Sequence, residues 1–297
     1  MKINSPMKYF VLLGLIVFFQ AQVSGQSVKD TTYWTTLGQA SLNLSQVSLS
    51  NWVGGGKSSV AGIANFDYNA LYKKNRLEWD NTIKAGYGLM KEEADEVTKN
   101  EDKLELNSKL GIELNSEKLL YSSFVNFLTQ FTPGYNYPNT TNKISDFFSP
   151  AYITLASGLD YRPTEKLSLF ITPLSGKFTF VTDDSLSNVG AFGVDPGETF
   201  RAELGATFKG EYKAAILPNV DLLTTLSLFS NYLDNPQHVD VNWDVSLNMK
   251  INDFMSALIK TNMIYDHDIL VPLDEFGNIG RRIQLKQVLG VGFSYRF

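Results

Sequence analysis

The sequence predicts an all-β chain, a transmembrane antiparallel β-barrel of about 12 strands. Three features predict it. Apolar and polar residues alternate with period two along almost the whole chain. Connections alternate between short and long. The last segment is an aromatic-rich strand.

Alternation is clearest in three stretches. Leu77, Trp79, Ile83, Ala85, Tyr87 and Leu89 interleave with Glu78, Asp80, Thr82, Lys84 and Gly86. Leu104, Leu106, Leu110, Ile112 and Leu114 interleave with Lys103, Glu105, Asn107, Lys109 and Glu113. Val239, Val241, Trp243, Val245 and Leu247 interleave with His238, Asp240, Asn242, Asp244 and Ser246. Successive side chains of a strand point to opposite faces, so each run carries one apolar and one polar face. No mature segment sustains a 3.6-residue period, and almost no helix is expected. Strands are read at 39–49, 60–72, 76–90, 103–114, 118–131, 151–161, 166–182, 198–213, 220–233, 238–251, 254–268 and 281–297. Each is long enough for the roughly 9–11 residues that a tilted strand needs to cross a bilayer.

Residues 73–75, 115–117, 162–165, 214–219 and 252–253 are short turns, whereas 91–102, 132–150, 183–197 and 269–280 are longer and rich in Gly, Pro, Asn and Asp. Such alternation fits a barrel with one periplasmic and one external end. The short connection 234–237 is an exception on the long-loop side. Pro173 to Gly176 interrupts 166–182, but splitting that strand would invert the short/long order afterwards. One strand with a bulge at Pro173, which cannot donate a ladder hydrogen bond, preserves the order.

The final stretch, QLKQVLGVGFSYRF, places Leu289, Val291, Phe293, Tyr295 and Phe297 on one face. It is expected to engage the outer-membrane barrel-assembly machinery. Tyr72, Trp79, Tyr121, Tyr161, Tyr212, Tyr295 and Phe297 fall near the short-turn end of the apolar face, and Tyr87, Phe131, Tyr232 and Tyr265 near the long-loop end. Two aromatic belts around an aliphatic band are the interfacial pattern of a barrel in contact with outer-membrane lipid. The competing arrangement, a soluble sandwich or lipocalin-like barrel with the apolar face inward, would need an uninterrupted solvent face over twelve long strands.

The N-terminus reads as a targeting segment. Lys2 and Lys8 precede an apolar run, Tyr9 to Phe19, that is too short to span a bilayer as a helix, and Val23-Ser24-Gly25 supplies small residues for cleavage. The expected organisation is a signal peptide at 1–25, a periplasmic segment at 26–38 and an outer-membrane barrel at 39–297. Zero cysteines exclude disulfides, thiolate metal sites and a lipid anchor on cysteine. Without the leader, 24 basic residues face 31 acidic ones, so no basic patch for nucleic acid is expected. No cofactor is expected either, and neither the oligomeric state nor a metal is specified.

With the apolar face toward lipid, the polar face lines a lumen. Arg76, Glu78, Asp80, Lys84, Lys103, Glu105, Lys109, Glu113, Arg201, Glu203, Lys209 and Glu211 are its candidate charged lining. A lining of one sign would indicate an ion-selective pore, whereas mixed signs suit a salt-bridged, partly filled interior. Phe124, Leu128, Phe170, Leu223, Phe229 and Leu258 share the inward parity and could fill the bore or line a path through it.

Both histidines lie near the long-loop rim. A three-residue loop at 252–254 sets His238 opposite Asp268 and Asp240 opposite Asp266. This cluster could bind a divalent cation or activate a water, although rim loops are commonly acidic without function. His267 falls on the outward parity and is not expected to join them. No serine beside it suggests a Ser-His-Asn lipase.

The stretch Asn51-Trp52-Val53-Gly54-Gly55-Gly56-Lys57-Ser58 ends like a phosphate-binding loop. A P-loop needs a glycine where Asn51 stands, and a helix after it; a strand follows here instead. Trp52, Gly54, Gly55 and Gly56 are expected to form a constriction loop folded over the barrel mouth.

SLSNWVGGG (48–56), PLSGKFTFV (173–181), GAFGVDPGE (190–198), NVDLLTTLSLFSNYLDNPQHVDVNWDVSLNMKIN (219–252) and IYDHD (264–268) together resemble an uncharacterised Bacteroidota family, a domain of unknown function regarded as outer-membrane-like. The resemblance spans nearly all of the mature chain. It implies the barrel and the compartment and supplies no site residues. Three functions stay open: a passive channel or small-solute transporter, a closed structural or accessory barrel of an envelope assembly, and a hydrolase using the rim cluster.

Overall fold

The computed structural model describes residues 33–48, 57–93, 95–269, 271–272 and 279–297. The expected signal peptide, residues 26–32 and the Trp52–Gly56 constriction loop lie outside the described residues. The strands are β1 (Trp34–Val47), β2 (Ser59–Lys74), β3 (Leu77–Glu92), β4 (Thr98–Ser116), β5 (Leu119–Thr129), β6 (Gly134–Tyr135), β7 (Lys143–Ser145), β8 (Ala151–Thr164), β9 (Leu167–Phe180), β10 (Phe200–Leu217), β11 (Val220–Asn231), β12 (Val239–Lys250), β13 (Met255–Tyr265), β14 (Val271–Pro272), β15 (Ile279–Gly280) and β16 (Gln284–Arg296). Twelve of them close into one antiparallel barrel in the order β1-β16-β13-β12-β11-β10-β9-β8-β5-β4-β3-β2. The remaining four form two small hairpins, β6–β7 and β14–β15. These hairpins lie in long connections that the sequence presents as loops.

Closure is made by the ends of the barrel sequence. β1 pairs with β16 from Gln39↔Arg296 to Leu44↔Val291. Gly38 and Phe297 then exchange backbone hydrogen bonds of 2.8 and 2.9 Å. A Cβ at Gly38 would overlap the Phe297 ring and push it aside. β1 starts at Trp34, so residues 34–38 are barrel wall and not part of the expected periplasmic segment. The alternation is weak there, since Thr35-Thr36 separates Trp34 from Leu37. Pairing with β2, Trp34↔Tyr72 onward, is what extends the strand.

The molecule is inside-out relative to a soluble domain. Among the described residues, fourteen polar or charged side chains are buried against seven apolar ones. Leu106, Leu110, Leu159, Ile171, Leu289 and Val291 are exposed on the outside of the wall. The short-turn belt is built on Trp34, whose ring lies 5.2 Å from Tyr72 and 5.8 Å from Trp79. An apolar exterior of this kind suits a hydrocarbon solvent, while a closed sheet leaves no backbone edge unpaired.

β9 stays a single strand, with one extra residue of its own bulged around Pro173 in its ladders to both β8 and β10. Thr172 Oγ1 lies 2.7 Å from both the Ser157 and the Leu174 carbonyl oxygens, so its one hydroxyl hydrogen serves the interrupted ladder there. The bulge drives the β9 backbone close to Gly158, where a Cβ would overlap the Ile171 carbonyl oxygen. Gly158→Ala is therefore expected to destabilise the barrel by about 1–3 kcal/mol through overpacking. Urea unfolding in detergent would register this as a lower midpoint with unchanged slope, and an unaltered midpoint would refute it.

Above the wall, the connection after β9 packs on its own small core of Val181, Leu186 and Val194. A short helix, α1 (Asp184–Ser187), is capped by the Asp183 carboxylate, which accepts from Ser185 and Leu186 N–H groups. Lys143 of β7 reaches the same carboxylate at 2.7 Å and Asp146 at 2.5 Å. The hydrogen bond from Lys143, then that from Ser185, pulls the Asp183 pKa down to about 2. These contacts tie two long-loop connections together.

Candidate functional site

Side-chain parity and register place the polar face inside the barrel. β3 presents Glu78, Asp80 and Lys84 inward, and the β3–β4 register sets Lys84 beside Glu105 and Asp80 beside Lys109. Arg76 is different. It sits in the turn before β3, exposed, and its guanidinium Nε donates to the Glu113 carbonyl oxygen at 2.8 Å. Arg76 thus fastens the short-turn rim and does not line the lumen, because β3 begins one residue later than the alternation suggested.

Near the short turns, ion pairs converge on two carboxylates. Asp160, fully buried, accepts from Lys109 Nζ at 2.6 Å, from Arg162 at 2.8 Å and from Ser168 at 2.8 Å. Arg162 also reaches Glu78 at 2.5 Å, and Lys73 lies 2.7 Å from Glu78 and 3.5 Å from Glu113. The Arg162–Glu78 pair joins β8 to β3 across two intervening strands. The phenyl rings of Phe124 and Phe170 meet edge-on at 6.3 Å beside this network, with Lys109 4.8 Å above Phe170.

Filling of the bore is one-sided. Inward residues of β5, β8 and β9, such as Leu120, Ala156, Asp160, Phe170 and Thr172, are buried. On β12 and β13, inward Asn242, Asp244, Ser246, Lys260 and Asn262 keep solvent exposure. Asn262 donates to Asn242 and Asp244 at 2.9 and 3.0 Å, so this wall is a hydrogen-bonded polar track.

At mid-height, Lys103 pairs with Glu105 at 2.7 Å. Glu105 also accepts from Asn107 at 3.0 Å, and Asn126 bonds Asn107 at 2.9 Å. Lys286 of β16 reaches Glu101 of β4 at 2.7 Å, across β1, β2 and β3. Lys84, Lys209 and Lys260, among the described residues, have no hydrogen bond and no carboxylate within 4 Å. Lys209 instead lies 4.8 Å from the Phe124 ring centroid, a cation–π contact. Glu211 likewise has no direct partner.

The long-loop mouth holds the rim residues. β12 and β13 pair from Val241↔Tyr265 to Lys250↔Ser256. Asp240 and Asp266 converge on Lys177 Nζ at 3.0 and 3.3 Å, with Glu203 at 3.6 Å. Arg201 pairs with Asp268 and, at 3.1 Å, with Glu203, and donates to the Gly193 carbonyl oxygen at 2.9 Å. Arg201 therefore links the wall, the turn at Asp268 and the connection after β9. Lys177 stands where a cation would be needed to gather Asp240 and Asp266, and among the described residues no group of three or more metal-ligating side chains is assembled.

His238 stacks on His267 with ring centroids 3.5 Å apart. This overturns the expectation that His267 points away. β13 ends at Tyr265, so His267 lies in a turn where strand parity no longer applies. Lys57, last cation of the phosphate-loop-like stretch, pairs with Asp95 at 2.8 Å, and strand β2 follows.

Sequence reasoning missed the three hubs Lys177, Asp160 and Arg162. Asp160 and Arg162 share the inward parity of Ala156 and Gly158 and could have been found from it. Lys177 lies beyond the Pro173 bulge, which switches the inward set from Ser168, Phe170 and Thr172 to Ser175 and Lys177.

These features define a class: a closed twelve-stranded barrel with an apolar exterior and a charged, partly filled bore. A family described as a protein of unknown function (DUF3078) matches residues 44–135, from β1 through β6. No curated protein matches the chain. Among solved structures, an outer membrane channel from Pseudomonas putida F1 is similar at 14% identity and a TM-score of 0.41, covering 91% of this chain and 100% of the other. The translocator domain of the autotransporter NalP from Neisseria meningitidis gives 10% identity and 0.36, covering 98% and 95%. OmpT of Vibrio cholerae gives 8% identity and 0.33, covering 92% and 100%.

Proposed function

We propose that the chain is an outer-membrane β-barrel acting as a narrow passive channel for small solutes, exported through a cleaved signal peptide and inserted through its aromatic terminal strand. The apolar exterior and its aromatic belts support the membrane setting. One observation carries the channel reading: Lys84, Lys209 and Lys260 project into the bore without a carboxylate partner. An unpaired ammonium in a dry interior costs several kcal/mol, so a plugged bore would have paired or excluded these groups. Water must reach them, and the exposed polar track on β12 and β13 gives it a route.

A second reading, a closed accessory barrel, is favoured by the ion pairs that cross both mouths. Purified full-length chain in planar bilayers separates the two. Discrete conductance steps are expected. A silent membrane at high protein load, with the protein shown to be inserted, would overturn the channel reading in favour of the closed one. The rim carboxylates Asp240, Asp266 and Asp268 are held by Lys177 and Arg201, which favours the two barrel readings over a rim-site hydrolase.

A further inference from the structure

We infer that the waist of the bore is a binding station for a small oxyanion, of the inorganic phosphate or small carboxylate class, held by Lys84, Lys209 and Lys260. The inference deepens the hydrated-bore reading and rests on it.

The three lysines come from β3, β10 and β13, which stand five, three and four strand steps apart around the twelve-stranded ring. They therefore point inward from three sides. Followed along the strand registers, Lys84 is level with Arg201, eight residues from Lys209, and Lys209 is level with Ile264, four residues from Lys260. The tilt of barrel strands accounts for a stagger of this size and sense, so the three ammonium groups surround one region of the bore. Only part of their mutual repulsion is offset: Glu211 and Glu105 act on Lys209, and Glu101 and Asp244 on Lys260. Glu105 is occupied by Lys103, Glu101 by Lys286, and Asp160 by Lys109 and Arg162. Asp244 accepts from Asn262. Asp67 on β2 and Glu211 on β10 are the two nearby carboxylates also without a direct partner, so three cations face two anions.

Geometry decides what completes the set. A carboxylate fixed to one wall satisfies the lysine beside it. A free tetrahedral or planar oxyanion lying between the walls can accept from ammonium groups on all three. Charge-assisted hydrogen bonds of this kind are the strong ones, and lysine serves phosphate as a point charge.

The test uses the full-length chain folded in detergent, titrated with inorganic phosphate and followed by phosphorus NMR line broadening. Saturable binding is expected, weakened about tenfold or more in the triple variant Lys84→Gln/Lys209→Gln/Lys260→Gln. Lys209→Arg, which keeps the charge, should retain binding, and Lys118→Gln, in a short turn, should leave it unchanged. Binding that is absent in the wild type, or equal in the triple variant, overturns the inference. If the triple variant fails to fold, each single Lys→Gln variant is expected to weaken binding, and three unaffected singles overturn it equally. Bilayer recordings separate this from the channel reading. A conducting barrel without phosphate binding refutes the station alone. A silent barrel that binds phosphate refutes transport while keeping the station.

Discussion

Lys177→Met is expected to raise conductance and to shift selectivity toward cations. Lys177 Nζ lies within 3.6 Å of Asp240, Asp266 and Glu203 and is the cation that gathers them. Without it, three carboxylates share one end of the bore. Each like-charge pair at 4 Å repels by about 1–4 kcal/mol, depending on the effective dielectric. The cheapest relief is for Asp266, in the turn after β13, to swing from the mouth into water. Arg201→Gln should act in the same direction, since it frees Asp268 and releases the Gly193 carbonyl oxygen. Single-channel conductance and the reversal potential in a potassium chloride gradient measure both effects. Unchanged values in a conducting barrel would mean that the mouth network is not the constriction.

The barrel itself was legible in the sequence because membrane strands obey one strict rule. Each of the twelve long alternating runs corresponds to one barrel strand. Even the awkward one at Pro173 was readable, since short/long alternation allows one strand with a bulge and forbids two. The end of β1 was not readable, because Trp34-Thr35-Thr36-Leu37 carries no period-two signal and is extended by its pairing with β2.

The interior was less legible, for a related reason. Parity says which side chains face inward, but not which of them meet. Arg162 finds Glu78 across two intervening strands, and Lys286 finds Glu101 across three. Those meetings depend on barrel shear, which no single strand encodes. Lys177 was hidden by the parity switch at the bulge, and His267 by the end of β13. The small hairpins and α1 depend on contacts such as Lys143–Asp183, between connections forty residues apart.

Asp160→Ala is expected to cause the largest loss of stability. Asp160 has no exposed surface and is the shared acceptor of Lys109, Arg162 and Ser168. Removing it leaves Lys109 facing only the Phe170 ring and Arg162 resting on Glu78 alone. Breaking a buried ion pair by deleting one partner costs about 3–5 kcal/mol, because the remaining charge is stranded in a poorly solvated place. The bore supplies some water, so the lower end of that range is expected. Denaturant unfolding of the variant in lipid vesicles would measure the loss. Adding Lys109→Met to Asp160→Leu removes the stranded ammonium as well and should recover part of the stability. A single variant as stable as the wild type would place water at Asp160. It would also show that the β5–β8–β9 wall is as hydrated as the polar track opposite.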